Sequence, residues 1–236
     1  MTNYCLYCDA LLMHDMDWIK IIFPKKESPL CQECREKLEP INEELCIICS
    51  RPLKELDSKF VTQHTCLDCV RWEQDPRWKG TLDKNESIYV YNHFLKELIA
   101  RFKFRGDYEL AKIFSPEITA KLKSLEHDIL VAIPLSNERL KERGFNQSEA
   151  LARETGFVTW DILLRTHSEK QSKKSREERV SQQRIFQLKQ PANMIQGKNI
   201  LLIDDIYTTG STLRQAAKIL KQAGAIKVQS LTVARG

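Results

Sequence analysis

The sequence predicts an α/β protein, a parallel sheet flanked by helices, preceded by a small Cys-rich zinc-binding module. Two observations carry this. All eight cysteines fall in four Cys-x-x-Cys pairs within the first 70 residues, and from Ser87 onward β-rich runs alternate with stretches of helical apolar spacing. The boundary is expected near residue 80, with a double zinc-ribbon module over 1–80 and a sheet domain over 81–236. At 236 residues, 42% apolar and 29% charged, the chain has globular proportions and can bury a sizeable core.

The pairs are Cys5/Cys8, Cys31/Cys34, Cys46/Cys49 and Cys66/Cys69, with none left over. Two thiolates two residues apart at a tight turn grip one face of a tetrahedral ion, so four pairs supply two sites of four thiolates. A disulfide framework needs an oxidising compartment, and a redox centre of the thioredoxin kind needs one pair, not four. An iron–sulfur cluster also accepts four thiolates; the spread of the pairs over separate turns favours Zn2+. Sequential use joins the first pair with the second and the third with the fourth. A cross-braced arrangement satisfies the same chemistry, and the sequential one is favoured. Four thiolates leave no open position for water or substrate, so both metals are expected to be structural.

Beyond the cysteines, Ser87 to Tyr91 reads as a short strand, and Phe94, Leu95, Leu98, Ile99 and Phe102 recur at helical spacing. A loop with Lys103, Phe104, Arg105 and Gly106 follows, then a helix from Tyr108 to Lys123 interrupted at Pro116. Asp128 to Ile133 reads as a buried strand. Pro134 to Gln147 is polar and positive, with Arg139, Lys141 and Arg143, and a helix spans Ser148 to Glu154. Asn199 to Ile203 is the clearest strand. Strands separated by helices imply a parallel sheet.

That last strand leads into Asp204-Asp205-Ile206-Tyr207-Thr208-Thr209-Gly210-Ser211-Thr212, and a helix begins at Ser211 with Leu213, Ala216, Ala217 and Leu220 on one face. Amides at the helix N-terminus, with the hydroxyls of Thr208, Thr209, Ser211 and Thr212, form a cradle for a phosphate dianion. Asp204 and Asp205 stand where they accept from ribose hydroxyls or metal-bound water. A helix cap needs one side chain, not two carboxylates followed by four hydroxyls. No Gly-Lys-Ser/Thr follows, so the string is not a Walker A loop.

These residues resemble the phosphoribosyl pyrophosphate (PRPP) motif of type I phosphoribosyltransferases. The whole chain resembles a narrower group, the ComF family of competence proteins, in its cysteine pairs, Phe102 to Asp107, Ile133-Pro134-Leu135, Glu142 to Gln147, the stretch Arg165 to Phe186 and the aspartate–threonine loop. The resemblance implies a type I phosphoribosyltransferase-like sheet. It implies ribose binding by Asp204 and Asp205, also the candidate catalytic carboxylates, phosphate binding by Thr208, Thr209, Gly210, Ser211 and Thr212, and a pyrophosphate loop at Lys103, Arg105 and Gly106. Mg2+ is expected to accompany PRPP.

Charge separates the halves. Residues 1–80 carry 11 Lys/Arg against 14 Asp/Glu, whereas 81–236 carry 26 against 18, and Arg165 to Lys189 alone holds eight basic and three acidic residues. An excess of this kind points to a polyanion. With the family resemblance it implies a factor that handles incoming single-stranded DNA during DNA uptake and natural transformation. Arg139, Arg143, Lys173, Lys174, Arg176, Arg179 and Arg184 would meet phosphates, and Phe145 either stacks on a base or packs in the core. A competence helicase and a strand-loading protein are the partners the resemblance implies. Nucleobase salvage by a phosphoribosyltransferase, and regulation by PRPP sensing, are the alternatives. The apolar runs Ile129 to Leu135 and Ile200 to Ile203 fall short of the ~18 residues of a membrane span. Asp15 and Asp17 stand where a secretory signal would be apolar. The expected location is cytoplasmic, near the uptake machinery.

Overall fold

The computed structural model describes residues 4–12, 28–42, 44–54, 56–166 and 185–236. The two cysteine units open with the same turn. Asp9 N–H donates to Cys5 O at 3.0 Å and Cys5 N–H to Ala10 O at 2.8 Å; Ser50 N–H donates to Cys46 O at 3.0 Å and Cys46 N–H to Arg51 O at 2.8 Å. Asp9 and Ser50 sit at φ 58° and 57°, and this left-handed residue brings the chain round behind each pair. The second pair of each unit stands at a helix start, Cys31 before α1 (Gln32–Glu36) and Cys66 before α2 (Leu67–Gln74). A hairpin of β1 (Val61–Thr62) and β2 (Thr65–Cys66), turning through Gln63 and His64 at positive φ, precedes α2.

The main sheet contains β3 (Lys84–Val90), β4 (Ile129–Ala132), β7 (Asn199–Tyr207) and β8 (Lys227–Arg235), all parallel in the order β3-β8-β7-β4. A separate antiparallel pair joins β5 (Leu163–Arg165) to β6 (Phe186–Leu188). Helices α3 (His93–Phe104), α4 (Ala111–Ser124) and α6 (Gln147–Glu154) cover one face, meeting Leu201, Ile203, Leu231 and Val233. Helix α7 (Ser211–Gln222) covers the other with Ile200, Leu202 and Val228. A short helix, α5 (Asn137–Arg143), stands at the sheet's C-terminal edge. The cysteine units pack on opposite faces. Cys5, Cys34, Leu30 and Leu38 join the first core, and Cys46, Cys49, Cys66, Cys69 and Leu53 join the second.

The α/β architecture is as the sequence predicts, with four differences of detail. Pro116 lies within an unbroken α4. Lys103 and Phe104 are the last residues of α3, not a loop. Helix α5 replaces part of the expected polar loop; it buries nothing and so lacks an apolar stripe, but Ser136 caps it and Gly144 ends it at φ 79°. Strand β8, central in the sheet, has no counterpart in the sequence reading. Polar residues interrupt its apolar pattern, and they are buried in a ladder with β3, where Ser87 and Thr232 hydroxyls lie 2.7 Å apart and Ser230 Oγ donates to Asn85 Oδ1 at 2.8 Å.

Candidate functional site

The strands end at one edge, where ligands bind in open parallel sheets. Strand β7 runs past Ile203 through both aspartates to Tyr207, which fixes the carboxylates on rigid backbone rather than in a loop. Lys103 Nζ, at the end of α3, bridges Asp205 Oδ2 at 2.7 Å, with both side chains mostly buried. Ser148 Oγ and the Asp205 N–H donate to Asp204 Oδ1, each at 2.9 Å. Loss of solvation, and then the Asp205 carboxylate, push the Asp204 carboxyl up to about 7.

After β7 the chain turns through exposed Thr208 and Thr209 to Gly210, at φ 78°, and Ser211 and Thr212 open α7. Gly210 at the N-cap has no side chain to offer; the Thr209 hydroxyl accepts the Ser211 N–H at 3.4 Å, and the amides of the first turn after it have no partner within the helix. Gly210 is required sterically, because a Cβ there would run into the Tyr207 hydroxyl. Tyr207 is buried, and its hydroxyl has no hydrogen-bond partner among the described residues. Burial pushes this phenol upward, so it stays protonated.

Basic side chains ring the carboxylates. Arg143 on α5 feels Asp205 and then Asp204 electrostatically, and its Nη1 donates to Gln147 Oε1 at 2.9 Å. Arg165, on β5, lies within the field of Asp204, while Arg139 is exposed on α5. Arg105 and Gly106 follow α3 on the surface, Gly106 at φ 68°. Phe145 is half-buried between Phe102 and Tyr108, with ring centroids 5.4 and 5.2 Å away, the packing expected of a core residue. The exposed ring is Phe104, at 63%, with the Arg143 guanidinium 5.4 Å above it. Lys173, Lys174, Arg176, Arg179 and Arg184 lie outside the described residues.

The eight thiols form two clusters in the sequential pairing, Cys5/Cys8/Cys31/Cys34 and Cys46/Cys49/Cys66/Cys69, with the sulfurs of each within 4.8 Å of one another. Cys8 and Cys31 sulfurs are 3.6 Å apart and those of Cys49 and Cys66 3.7 Å. A tetrahedral Zn–S bond of about 2.3 Å sets the S–S edge at about 3.8 Å, so each cluster fits one such ion and leaves no open position.

Four residues beside the site escape the sequence reading. Trp72 Nε1 donates to Thr209 O at 2.9 Å; Glu73 Oε1 pairs with Arg214 Nη1 at 2.9 Å; Arg235 Nη1 donates to Tyr207 O at 3.2 Å and Nη2 to Cys49 Sγ at 3.6 Å. Arg214 and Arg235 are buried. The available signal was Trp72 and Glu73 standing three and four residues after Cys69, on one helical face.

Residues 141–236 match the phosphoribosyl transferase domain family. Competence protein ComFC of Bacillus subtilis is 39% identical over 235 residues, covering 98% of this chain and 94% of that protein. The chain belongs to the ComFC-like competence protein family. A second member, competence protein ComFC of Streptococcus pneumoniae, is 34% identical, covering 98% of this chain and 99% of that one. DNA utilization protein YhgH of Salmonella typhimurium is 27% identical over 85% of this chain and 94% of its own length. The similarity to the ComFC proteins thus spans the cysteine units as well as the transferase-like part.

Proposed function

We propose that this chain is a cytosolic competence factor that binds and processes incoming single-stranded DNA during uptake, and that it carries a site for PRPP or a related phosphoribosyl ligand. The observation that carries the ligand reading is the Lys103–Asp205 bridge at 2.7 Å beside the hydroxyl-rich start of α7. There the amides and hydroxyls from Thr208 to Thr212 hold the 5′-phosphate, Asp204 and Asp205 accept from the ribose hydroxyls, and Lys103, Arg105 and Gly106 meet the pyrophosphate. Mg2+ accompanies such a ligand, screening its phosphate charge. The carboxylates also stabilise positive charge on the ribose ring if the pyrophosphate leaves.

The names of the ComFC relatives and the basic half of the chain support the DNA role. Arg139 and Arg143, with Lys173, Lys174, Arg176, Arg179 and Arg184, neutralise strand phosphates, and Phe104 offers the stacking surface expected of Phe145. Residues 1–80 form a platform built on two structural Zn2+ ions, and 81–236 form the ligand-binding domain. Among the described residues no helix is long and apolar enough to cross a membrane. A competence helicase and a strand-loading protein at the uptake machinery are the proposed partners.

The test is equilibrium binding of the zinc-loaded protein to labelled single- and double-stranded DNA across a salt series, with and without magnesium-PRPP. Salt-steep binding that favours single strands supports the reading, and a PRPP effect shows that the two sites are coupled. No DNA binding at low salt would sink it. A cavity of about 260 Å³ lined by Pro134, Leu140, Asn146, Trp160 and Leu164 favours transfer to a flat acceptor base as a second reading. Base-dependent release of pyrophosphate distinguishes it.

A further inference from the structure

We propose that the second thiolate cluster, Cys46/Cys49/Cys66/Cys69, is the anchor of the phosphate loop, acting through Trp72 and Arg235 as positioning residues. The proposal rests on the reading of that loop as an anion site and adds a role for the metal beneath it.

The first connection runs through α2. Cys69 is a ligand on this helix, and Trp72 lies on the same face one turn later. The Trp72 indole N–H donates to Thr209 O at 2.9 Å. A trans peptide is planar, so holding that carbonyl from the cluster side turns the Gly210 N–H the opposite way, into the loop where the anion lies. Glu73 adds a second tie. Its carboxylate holds Arg214, whose own N–H donates to Gly210 O at 2.9 Å and whose guanidinium lies 5.2 Å from the Trp72 ring.

The second connection runs through β8. Arg235 forks between Cys49 Sγ, at 3.6 Å, and Tyr207 O, at 3.2 Å, with its guanidinium 4.9 Å from the Tyr207 ring. A divalent ion in four thiolates carries two net negative charges, which accounts for a guanidinium buried to 4% exposure at this point. Gly210 in turn rests on the Tyr207 hydroxyl. Metal, Cys49, Arg235, Tyr207 and Gly210 therefore form one packed column. Loss of the ion releases the Cys49 end of that column and the start of α2 together. The contacts of the first cluster instead run to α3, where Arg101 Nη1 donates to Tyr7 O at 2.6 Å.

The experiment uses the full chain. Zinc is withdrawn stepwise with a chelator and counted, freed cysteines are located by alkylation, and two properties are read at each step: amide hydrogen exchange over residues 208–212, and magnesium-PRPP affinity by calorimetry. Emptying the first cluster is expected to leave both unchanged. Emptying the second is expected to accelerate exchange and weaken PRPP at least roughly tenfold. Trp72→Phe keeps a ring against Arg214 and removes the N–H together with one ring of the indole; it should retain two zinc ions and a cooperative melt while weakening PRPP about fivefold. Exchange and affinity that ignore both the second zinc and Trp72→Phe overturn the proposal. If the loop exchange follows the second zinc but PRPP never binds, the anchor stands and the phosphoribosyl reading falls.

Discussion

The two cysteine clusters share ligands, spacing and turn geometry, and differ in what surrounds them. In the first, Cys8 is exposed and Cys31 half-buried, and the unit meets α3 through Tyr7, whose ring packs on Phe94 with centroids 4.6 Å apart. In the second, all four cysteines are buried, in the core that holds β7 and α7. One clips the chain to the outside of a finished sheet; the other is part of the sheet's interior. Identical metal chemistry therefore carries different weight, set by the neighbours and not by the ligands.

The largest separation between them should come from ligand removal. Cys69→Ser should empty the second site and lower the melting temperature far more than the matching change in the first cluster, with the sheet still folded at low temperature, because its neighbours are the core of β7 and α7. Cys8→Ser should leave a folded protein with one zinc and a melting temperature lowered by several degrees. Melting followed by circular dichroism, with metal counted, checks this; equal losses would break the comparison.

Gly210→Ala tests the column above the second cluster. The φ of 78° and the Tyr207 hydroxyl both oppose a Cβ, at a cost of about 1–3 kcal/mol. PRPP binding should disappear, and Tyr207→Phe in the same chain should not restore it, because the ring carbon Cζ meets the added Cβ as well as the hydroxyl does. Gly106→Ala, at φ 68° with nothing within 4 Å, should cost about 1 kcal/mol from backbone strain alone.

A smaller effect concerns pH. Because the Asp204 carboxyl is raised to about 7 in the fold, the folded chain holds a proton there that the unfolded chain has already released above about pH 4. Stability from this group is present at low pH and declines as pH rises toward 7. Asp204→Asn should flatten that decline in a series of melts between pH 5 and 8, while weakening PRPP most above pH 7, where the carboxylate is ionised. Smallest of all, Tyr7→Phe removes an exposed hydrogen bond to Glu97 near the first cluster and should shift stability by no more than about 0.5 kcal/mol, measured by urea denaturation.

The sequence made the ligands legible because Cys-x-x-Cys spacing is a local signal, and the aspartate–threonine loop because its chemistry is contiguous. What it hid is long-range. Arg235 is 186 residues from Cys49, and Trp72 is 137 from Thr209, so no window of the chain contains either contact. Strand β8 was hidden differently: Ser230 and Thr232 read as surface residues until Asn85 and Ser87 are known to face them. Phe104 and Phe145 each sit at the end of a helix beside basic residues and could exchange roles on sequence alone; only packing decides which ring is free.

Strand β8 is the last of the four sheet strands in chain order and lies between β3 and β7. During synthesis, neither neighbour can find its place beside the other until residues 227–235 have emerged. The cysteine turns are made first and can capture metal early, yet the second cluster gains Arg235 only at the final stage. The emerging chain thus holds a loaded cluster and an unfinished sheet at once. A ribosome-bound chain stopped short of β8 would carry metal and residues 208–212 without the Arg235 tie between them.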